Sequence, residues 1–281
     1  MNMITYVNQK NYAYYAPLIP MGMQEQIITD KDMLLFGIES DEMAAGIAAV
    51  RVLGPEAQLI WFSLDPEFQG MGVGMRSFYD IVNLLKEDFN CDFMTMDLSP
   101  DTESNFLNII RAYDTSYEYL PTGRYSIMVS DVLASRRLME KSRKCVALSD
   151  MDEVSLKDLC RRIEKDNNDL VNMPIDPKRY MARVSPVYMN NGRAEGIILI
   201  RRNTRKSMEV AFLTSFSQNV NAIMDMLYFV AENLRGVGDD IAMEMNLVDE
   251  ELASFVRKLF TEEGGEKGDF IPMKRVKLAL S

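Results

Sequence analysis

Three glycines at alternate positions, Gly70, Gly72 and Gly74, are the residues whose type and spacing most narrowly limit the chemistry of this chain. An apolar run at 59–64 precedes them and an amphipathic stretch at 75–86 follows, which predicts a strand, a glycine turn and a helix. Glycine lets backbone N–H groups approach an anion without a Cβ in the way. The first turn of the helix adds unpaired donors and the positive end of the helix dipole. The pattern therefore predicts a ligand that carries phosphate groups.

Histidine is absent from the sequence. This excludes a histidine-based triad, a histidine-ligated metal and a histidine proton shuttle. Any acid or base must then be Glu, Asp, Tyr, Lys or Cys. The three cysteines, Cys91, Cys145 and Cys160, are odd in number and far apart. We therefore expect reduced thiols, with neither a disulfide framework nor a metal site.

The net charge of −11 is unevenly distributed over the 281 residues. Residues 1–140 hold 20 acidic and 9 basic side chains, whereas residues 141–281 hold 22 of each. Excess acid in the half with the glycine turn disfavours a nucleic-acid partner and suits a cationic one. No apolar run approaches the roughly 20 residues that span a bilayer, and the start of the chain lacks a signal-peptide pattern. We expect a cytoplasmic protein without a membrane partner.

The predicted order of elements over residues 1–130 is β, α, β, β, β, α, β, α, β, β. Apolar runs predict strands at 3–7, 33–39, 43–53, 57–64 and 92–98. Helices are predicted at 11–23, interrupted at Pro17 and Pro20, at 75–86 and at 102–113. Residues 117–120 and 125–129 are predicted to form a hairpin around 121–123.

A similar order is predicted to recur after a polar linker at 131–142. The strands are expected at 144–148, 187–189, 196–201, 208–212, 241–247, 270–273 and 275–280, with helices at 154–165, 219–234 and 250–259. The chain length also suits two medium domains. We therefore predict a first domain at 1–130 and a second at 143–281, which repeats the architecture without repeating the sequence.

The spacing of the glycines distinguishes between kinds of phosphate site. A P-loop requires GxxxxGK[ST], and no Lys followed by Ser or Thr comes directly after these glycines. A dinucleotide fingerprint requires GxGxxG near the first strand of a parallel βαβ unit, whereas this turn follows three predicted antiparallel strands. The pattern that fits is Q/R-x-x-G-x-G/A, filled by Gln69, Gly70, Met71, Gly72, Val73 and Gly74.

With that motif the chain resembles the GNAT family, the GCN5-related N-acetyltransferases. The match extends upstream to the hydrophobic-x-Pro-x-x-Arg/Gln pattern at Leu64, Pro66 and Gln69, and the predicted strand order is that of the family. The resemblance implies an α/β (α+β) fold with two GNAT-like domains, each a mixed, mostly antiparallel sheet flanked by helices. It covers residues 1–130 well. At 214–230, the position matching the glycine turn, the second half has no glycine, so we expect a degenerate domain without cofactor.

The resemblance also implies a cofactor, acetyl-CoA, and residues that hold it. Backbone N–H groups of the motif would hold its pyrophosphate, and residues 62–64 would run along the pantetheine arm. The implied cofactor-binding residues are Phe62, Ser63, Leu64, Gln69, Gly70, Met71, Gly72, Val73, Gly74, Met75 and Asn105.

Candidate catalytic residues follow from the same comparison. The family commonly uses a Tyr at the end of the helix after the next strand as acid to the departing thiolate, which implies Tyr113. The base is often a carboxylate on the central strands, and Glu39, Glu56 and Asp65 are the candidates at predicted strand ends.

The predicted activity is acetyl transfer from acetyl-CoA to a primary amine of a small molecule or peptide by direct attack. Two alternatives stay open: transfer of another acyl group, and a noncatalytic CoA-binding or scaffold protein. A homodimer is a further expectation.

Overall fold

The computed structural model describes residues 2–30, 32–112, 117–166, 175–216, 220–247, 250–262 and 265–280. The chain divides into two compact units. Unit 1 comprises Met1–Thr122 together with Pro272–Ser281, and unit 2 comprises Gly123–Ile271. None of the described helices is long and apolar enough to cross a membrane.

Strands and helices are numbered in chain order. The strands are β1 (Asn2–Tyr6), β2 (Met33–Ser40), β3 (Met43–Leu53), β4 (Glu56–Leu64), β5 (Phe93–Leu98), β6 (Tyr117–Met128), β7 (Cys145–Ala147), β8 (Pro186–Asn190), β9 (Arg193–Arg202), β10 (Ser207–Ser215), β11 (Ala242–Leu247), β12 (Thr261–Glu262), β13 (Gly265–Glu266) and β14 (Asp269–Ala279). The helices are α1 (Tyr12–Tyr15), α2 (Met21–Thr29), α3 (Val73–Phe89), α4 (Pro100–Ala112), α5 (Val129–Ala134), α6 (Glu153–Asp166), α7 (Val220–Asn233) and α8 (Glu250–Leu259).

The sheet of unit 1 is mostly antiparallel. Strands β1 to β4 pair antiparallel in chain order, β4 and β5 pair parallel, and β14 pairs antiparallel with β5. Helix α3 covers one face because its apolar residues recur every three or four positions, and Phe78, Ile81 and Leu85 are buried against that face. The other face carries a second apolar cluster, in which Tyr15 and Ile19 are buried.

The sheet of unit 2 repeats this arrangement. Strands β7 to β10 pair antiparallel in chain order and β10 pairs parallel with β11. The second half of β6, from Gly123 to Met128, completes the sheet by pairing antiparallel with β11. The predicted repetition of a mixed, mostly antiparallel sheet flanked by helices is thereby confirmed.

The predicted hairpin over 117–129 is absent, because β6 is one continuous strand from Tyr117 to Met128. Glycine is required at position 123 because the Phe270 ring packs closely against the strand there, and not because the chain turns. A Cβ at this position would lie 2.2 Å from Cε2 of Phe270, so only glycine lets that ring rest on the strand. The two strands predicted at 270–273 and 275–280 are likewise replaced by the single strand β14, which ends at Ala279.

The boundaries of the units differ from the predicted ones at 130 and 142. The boundary falls within β6, and the end of β14, from Pro272 to Ala279, belongs to unit 1. The predicted linker contains α5 and a 3₁₀ turn (Arg136–Leu138). Val132 and Leu138 are buried in the core of unit 2, so this segment is part of the domain.

Candidate functional site

The glycine turn is fastened to the end of β4 by hydrogen bonds. The backbone N–H of Asp65 donates to the carbonyl of Ala45 at 2.9 Å, and its carboxylate accepts from the N–H of Glu67 at 3.0 Å, capping a 3₁₀ turn. The Gln69 side-chain amide donates to the carbonyl of Leu64 at 3.1 Å. The segment that joins strand to helix therefore has a defined path.

Two of the three glycines have a backbone conformation that L side chains rarely adopt. Gly70 and Gly72 have φ of 76° and 75°, in the left-handed region where a Cβ costs about 1–2 kcal/mol. Gly72 is the N-cap of α3, and no side chain caps this helix start. A Cβ on Gly70 would meet no atom within 4 Å. The first amides of α3 are therefore not capped by a side chain, as at helix starts that bind anions, and the adjacent Gly70 borders open space.

Arg76 adds a positive charge to this turn. Its Nε donates to the carbonyl of Gly72 at 3.3 Å and its Nη2 donates to the carbonyl of Met71 at 3.2 Å. It is the only basic residue between Arg51 and Lys86. Arg76 is not part of the glycine motif, but its isolation in an acidic half of the chain is visible in the sequence.

Strands β4 and β5 separate next to the turn. Their parallel pairing runs from Glu56 opposite Phe93 to Leu59 opposite Met96 and ends there, although both strands continue. The register of β4 against β3 shifts at the same place, with Leu59 opposite Val50 and Trp61 opposite Ala49, so Ile60 is an extra residue. Such a β-bulge bends a strand. Residues 60–64 therefore have an edge toward β5 that forms no ladder with it.

The bulge also determines which side chains face helix α3. Leu59 and Phe62 both pack into the cluster under α3, whereas Ile60 packs against the opposite cluster with Tyr15. Ser63 lies on the strand between Phe62 and Leu64, and its hydroxyl accepts from Nε1 of Trp61 at 2.9 Å. A Cβ on Gly74 would lie 3.2 Å from Leu64 and 3.8 Å from Phe62, so the turn sits directly over these side chains.

The structure brings most of the predicted cofactor residues together. Residues 62–64 form the free end of β4, residues 69–72 form the turn, and residues 73–75 form the first turn of α3. Asn105 lies within α4, in a stretch whose side chains the structure does not describe. Tyr113, the predicted acid, lies outside the described residues. Next to it in the chain, the carbonyl of Ala112 accepts from the hydroxyl of Tyr79 on α3 at 2.5 Å, which holds the end of α4 against α3.

The three candidate bases are in different places. Glu56 is at the opposite end of β4 from the turn, and its carboxylate accepts from the Thr95 hydroxyl at 2.6 Å. Asp65 caps the 3₁₀ turn with its carboxylate. The structure thus gives Glu56 and Asp65 structural partners, and it does not bring Glu56 to the turn.

Glu39 is at the same edge of the sheet as the turn. Strands β2 and β4 both run antiparallel to β3, and Ile38, Gly46 and Leu64 are aligned across the three strands, so Glu39 lies one residue beyond that line. Its carboxylate accepts a hydrogen bond from the fully buried Tyr15. Burial, followed by this carboxylate, raises the pKa of Tyr15 far above its ordinary value, which keeps the phenol protonated.

Unit 2 has the strand geometry without the glycines. The pairing of β10 with β11 ends at Val210 opposite Met245, and the register against β9 shifts between Val210 and Phe212, so Ala211 corresponds to Ile60. Residues 214–230 contain no glycine. The Arg162 guanidinium lies 4.2 Å from the ring centroid of Phe216, at the end of the strand. Residues 217–219, which lead into α7, are outside the described residues.

Solved structures of GCN5-related N-acetyltransferases, one of them described as a tandem GNAT protein, match at least 98% of this chain. The tandem GNAT protein from the clavulanic acid biosynthesis pathway matches with a TM-score of 0.61 and 9% identity, over 100% of this chain and 99% of that chain. A GCN5-related N-acetyltransferase from Sphaerobacter thermophilus matches with a TM-score of 0.59 and 11% identity, over 99% and 96%. One from Kribbella flavida has a TM-score of 0.51 and 13% identity, over 98% and 70%.

No protein-family model and no curated protein matches the sequence. The structural matches nevertheless define the fold, because they extend over both units. The chain has the tandem GNAT fold, with two α/β units of the acetyltransferase type.

Proposed function

We propose that this chain is an acetyl-CoA-dependent N-acetyltransferase whose cofactor binds in unit 1. The proposal rests on one observation: the unpaired edge of β4 is followed by the glycine turn. The free edge of β4 at residues 60–64 leads directly into a turn where Gly70 and Gly72 open the backbone to an anion. An extended ligand with phosphates at one end fits this combination.

The residues present suit the two ends of acetyl-CoA. The amides of the turn and of the first turn of α3 would bind the pyrophosphate, with Arg76 as the adjacent cation. The edge of residues 62–64 offers backbone groups to the amides of the pantetheine arm. The thioester would then lie where β4 and β5 separate, and a strand N–H near Leu64 would polarise its carbonyl.

The transfer requires two proton movements in addition to the exchange of bonds. The amine must lose a proton before its nitrogen can attack the thioester carbonyl, forming the C–N bond, and a second proton leaves as the C–S bond breaks. Glu39 is the candidate that can receive a proton, directly or through water. The departing thiolate takes a proton from Tyr113 in this proposal, since a phenol and a thiol have comparable basicity. The second proton released by the nitrogen then restores the Tyr113 phenol, so only the proton received by Glu39 passes to solvent.

The proposed acceptor is a cationic amine of a small molecule or peptide. The support is the excess of 20 acidic over 9 basic residues in the first 140 positions, which attracts cations to this part of the chain. Unit 2 lacks the glycines that open the backbone in unit 1, so we assign it no cofactor. Its role would be to complete the fold or to mediate dimerisation.

Calorimetric titration with acetyl-CoA tests the cofactor site. Gly70→Asp places a carboxylate where the phosphates would bind, and we expect affinity to fall at least ~tenfold through charge repulsion. Gly192→Asp is a matched control in unit 2, because Gly192 has φ of 79° and likewise no atom within 4 Å of its Cβ. It should cost the same backbone strain and leave affinity unchanged. Absence of binding by the wild type would refute the proposal.

Thiol release against a panel of amines separates an enzyme from a noncatalytic CoA-binding protein. We expect turnover with at least one polyamine, aminoglycoside or lysine-containing peptide, and a reduction of at least ~100-fold in kcat for Tyr113→Phe. Full turnover by Tyr113→Phe would remove this residue from the mechanism. Tight binding of acetyl-CoA without release on any amine would favour the scaffold alternative.

A further inference from the structure

Three phenylalanine rings meet beneath the place where β4 and β5 separate. Phe62 comes from β4, Phe78 from α3 and Phe106 from α4. Their centroids are 6.3 Å (Phe62 to Phe78), 5.8 Å (Phe62 to Phe106) and 6.4 Å (Phe78 to Phe106) apart, and every pair is edge to face. Rings in this arrangement are in van der Waals contact, with no space for a methylene group between them.

The position of this Phe triad depends on the bulge at Ile60. In a regular strand, residues 59, 61 and 63 would share a face. The extra residue instead brings Phe62 to the face of Leu59, under α3. The bulge that separates the strands therefore also directs an aromatic ring to the inner end of the gap.

The surroundings of the triad are apolar and tightly packed. Met96 and Leu98 on β5 and Ile110 on α4 belong to the same cluster and are at most 4% exposed. Phe78 is 1% exposed, whereas Phe62 and Phe106 are half-buried. Two of the three rings are thus partly exposed, and the third packs against them from the core.

We propose that the Phe triad limits the acyl donor to short chains, acetyl and propionyl, by closing the inner end of the gap. This inference rests on the proposed function, which places the pantetheine arm along residues 62–64 with its thioester end beside Phe62. An acyl chain that continues beyond the thioester meets the rings. A longer chain fits only if a ring leaves its edge-to-face contacts, and closely packed interiors resist such added volume.

The predicted selectivity is for the length of the acyl chain, since all the compared ligands carry the same CoA group. Acetyl-CoA and propionyl-CoA should bind with similar affinity. Butyryl-CoA and hexanoyl-CoA should bind at least ~tenfold more weakly, because a well-formed apolar pocket discriminates by about that factor for each methylene it cannot accept. This selectivity excludes the longer acyl donors that the sequence leaves open.

Calorimetry with the four acyl-CoAs and no acceptor measures this selectivity without knowledge of the amine. Phe106→Leu removes roughly the volume of one methylene group from a half-buried position. This is the methylene by which butyryl exceeds propionyl, so the butyryl-to-acetyl affinity ratio should rise at least ~tenfold. Phe62→Leu is an independent second variant from the strand side. Phe89→Leu is the matched control. Phe89 is on α3, packs on the same cluster and makes an edge contact with Tyr6, with ring centroids 6.3 Å apart. The butyryl-to-acetyl affinity ratio of this variant should not change.

The outcomes distinguish this inference from the proposed function. A wild type that binds none of the four acyl-CoAs refutes the proposed function. A wild type that binds all four equally leaves the acyltransferase proposal intact and overturns the chain-length limit. Folded Phe106→Leu and Phe62→Leu variants that keep the wild-type ratio also overturn it, with the thermal unfolding midpoint used to establish that they are folded.

Discussion

Arg275, on the last strand of the chain, forms a two-point contact with Asp97 on β5. Its Nε lies 2.7 Å from one carboxylate oxygen and its Nη2 lies 2.8 Å from the other. Both side chains are 16% exposed. The strands that carry them, β14 and β5, are paired antiparallel, with Arg275 directly opposite Asp97. The contact therefore fixes the register with which the end of the chain completes the sheet of unit 1.

Removal of one partner of this pair should strongly destabilise unit 1. Arg275→Met leaves the Asp97 carboxylate largely buried without its cation, which costs about 3–5 kcal/mol. The double variant with Asp97→Asn should recover part of that loss. Urea unfolding followed by Trp61 fluorescence measures the change, because Trp61 is the only tryptophan and lies in unit 1. A loss below about 1 kcal/mol for Arg275→Met would contradict the assigned role.

Asp225 should have a comparable role within unit 2. Its carboxylate accepts from the Ser142 hydroxyl at 3.0 Å, the Arg143 N–H at 2.9 Å, the Lys144 N–H at 3.0 Å and the Cys145 thiol at 3.3 Å. Asp225→Ala leaves these donors without an acceptor, and we expect a loss of about 2–4 kcal/mol. Glu153→Gln, which removes an exposed partner of Lys157, should leave the stability nearly unchanged, because water screens this ion pair. Thermal unfolding followed by circular dichroism compares them, and equal midpoints would refute the prediction.

The same carboxylate predicts a loss of stability in acid. Burial alone would raise the pKa of Asp225, but the hydrogen bonds from residues 142–145 outweigh it and lower the pKa below the ordinary 3.8. A lowered folded-state pKa stabilises the fold above the unfolded value, and this stabilisation is lost as pH falls through the folded value. Below pH 4 the wild type should therefore lose stability faster than Asp225→Ala.

Two thiols predict a loss of stability in alkali. Burial raises the pKa of Cys91 to about 11 and that of Cys145 to about 12, from 9.0. A raised folded-state pKa gives stability that is fully present below pH 9 and is lost as pH rises through the folded value. The unfolding free energy should fall from pH 9 by about 1.4 kcal/mol per pH unit for each thiol. Urea unfolding midpoints at pH 8, 9 and 10 test this prediction. In Cys145→Ala the unfolding free energy should fall less steeply with pH than in the wild type. An identical dependence on pH would exclude Cys145 as a contributor.

The strand order and the glycine turn could be predicted from sequence because both depend on local pattern. Gly70 and Gly72 have the conformation for which glycine is required. The bulge at Ile60 could not be located from the sequence, since residues 59–62 are four consecutive apolar residues in which no alternation marks the extra one. The hairpin predicted around Gly123 was wrong for a different reason. Glycine is required there by contact with the Phe270 ring, and Phe270 is distant in sequence.

The positions of the candidate bases also depend on contacts between strands that the local sequence does not show. Glu56 and Asp65 are both at ends of β4, but a strand of this length separates its ends by roughly 3.3 Å per residue. Closeness to the motif in sequence therefore does not place Glu56 near it in space. Glu39 is 30 positions before Gln69 in the chain, yet the antiparallel order of β2, β3 and β4 brings it to the edge where the turn lies.

The placement of Glu39 predicts a difference between two carboxylates that sequence treats alike. Glu39→Gln removes a proton acceptor at the edge of the turn and should lower kcat by about 10²-fold or more, while calorimetry should show acetyl-CoA affinity unchanged. Tyr15→Phe removes the hydrogen bond that Glu39 accepts. Because that bond holds the carboxylate in place, its loss should also lower kcat while acetyl-CoA affinity stays unchanged. Glu56→Gln is the matched control at the other end of β4 and should leave kcat within about twofold. Equal loss of turnover in Glu39→Gln and Glu56→Gln would show that both act through stability, and Glu39 would then have no part in the transfer.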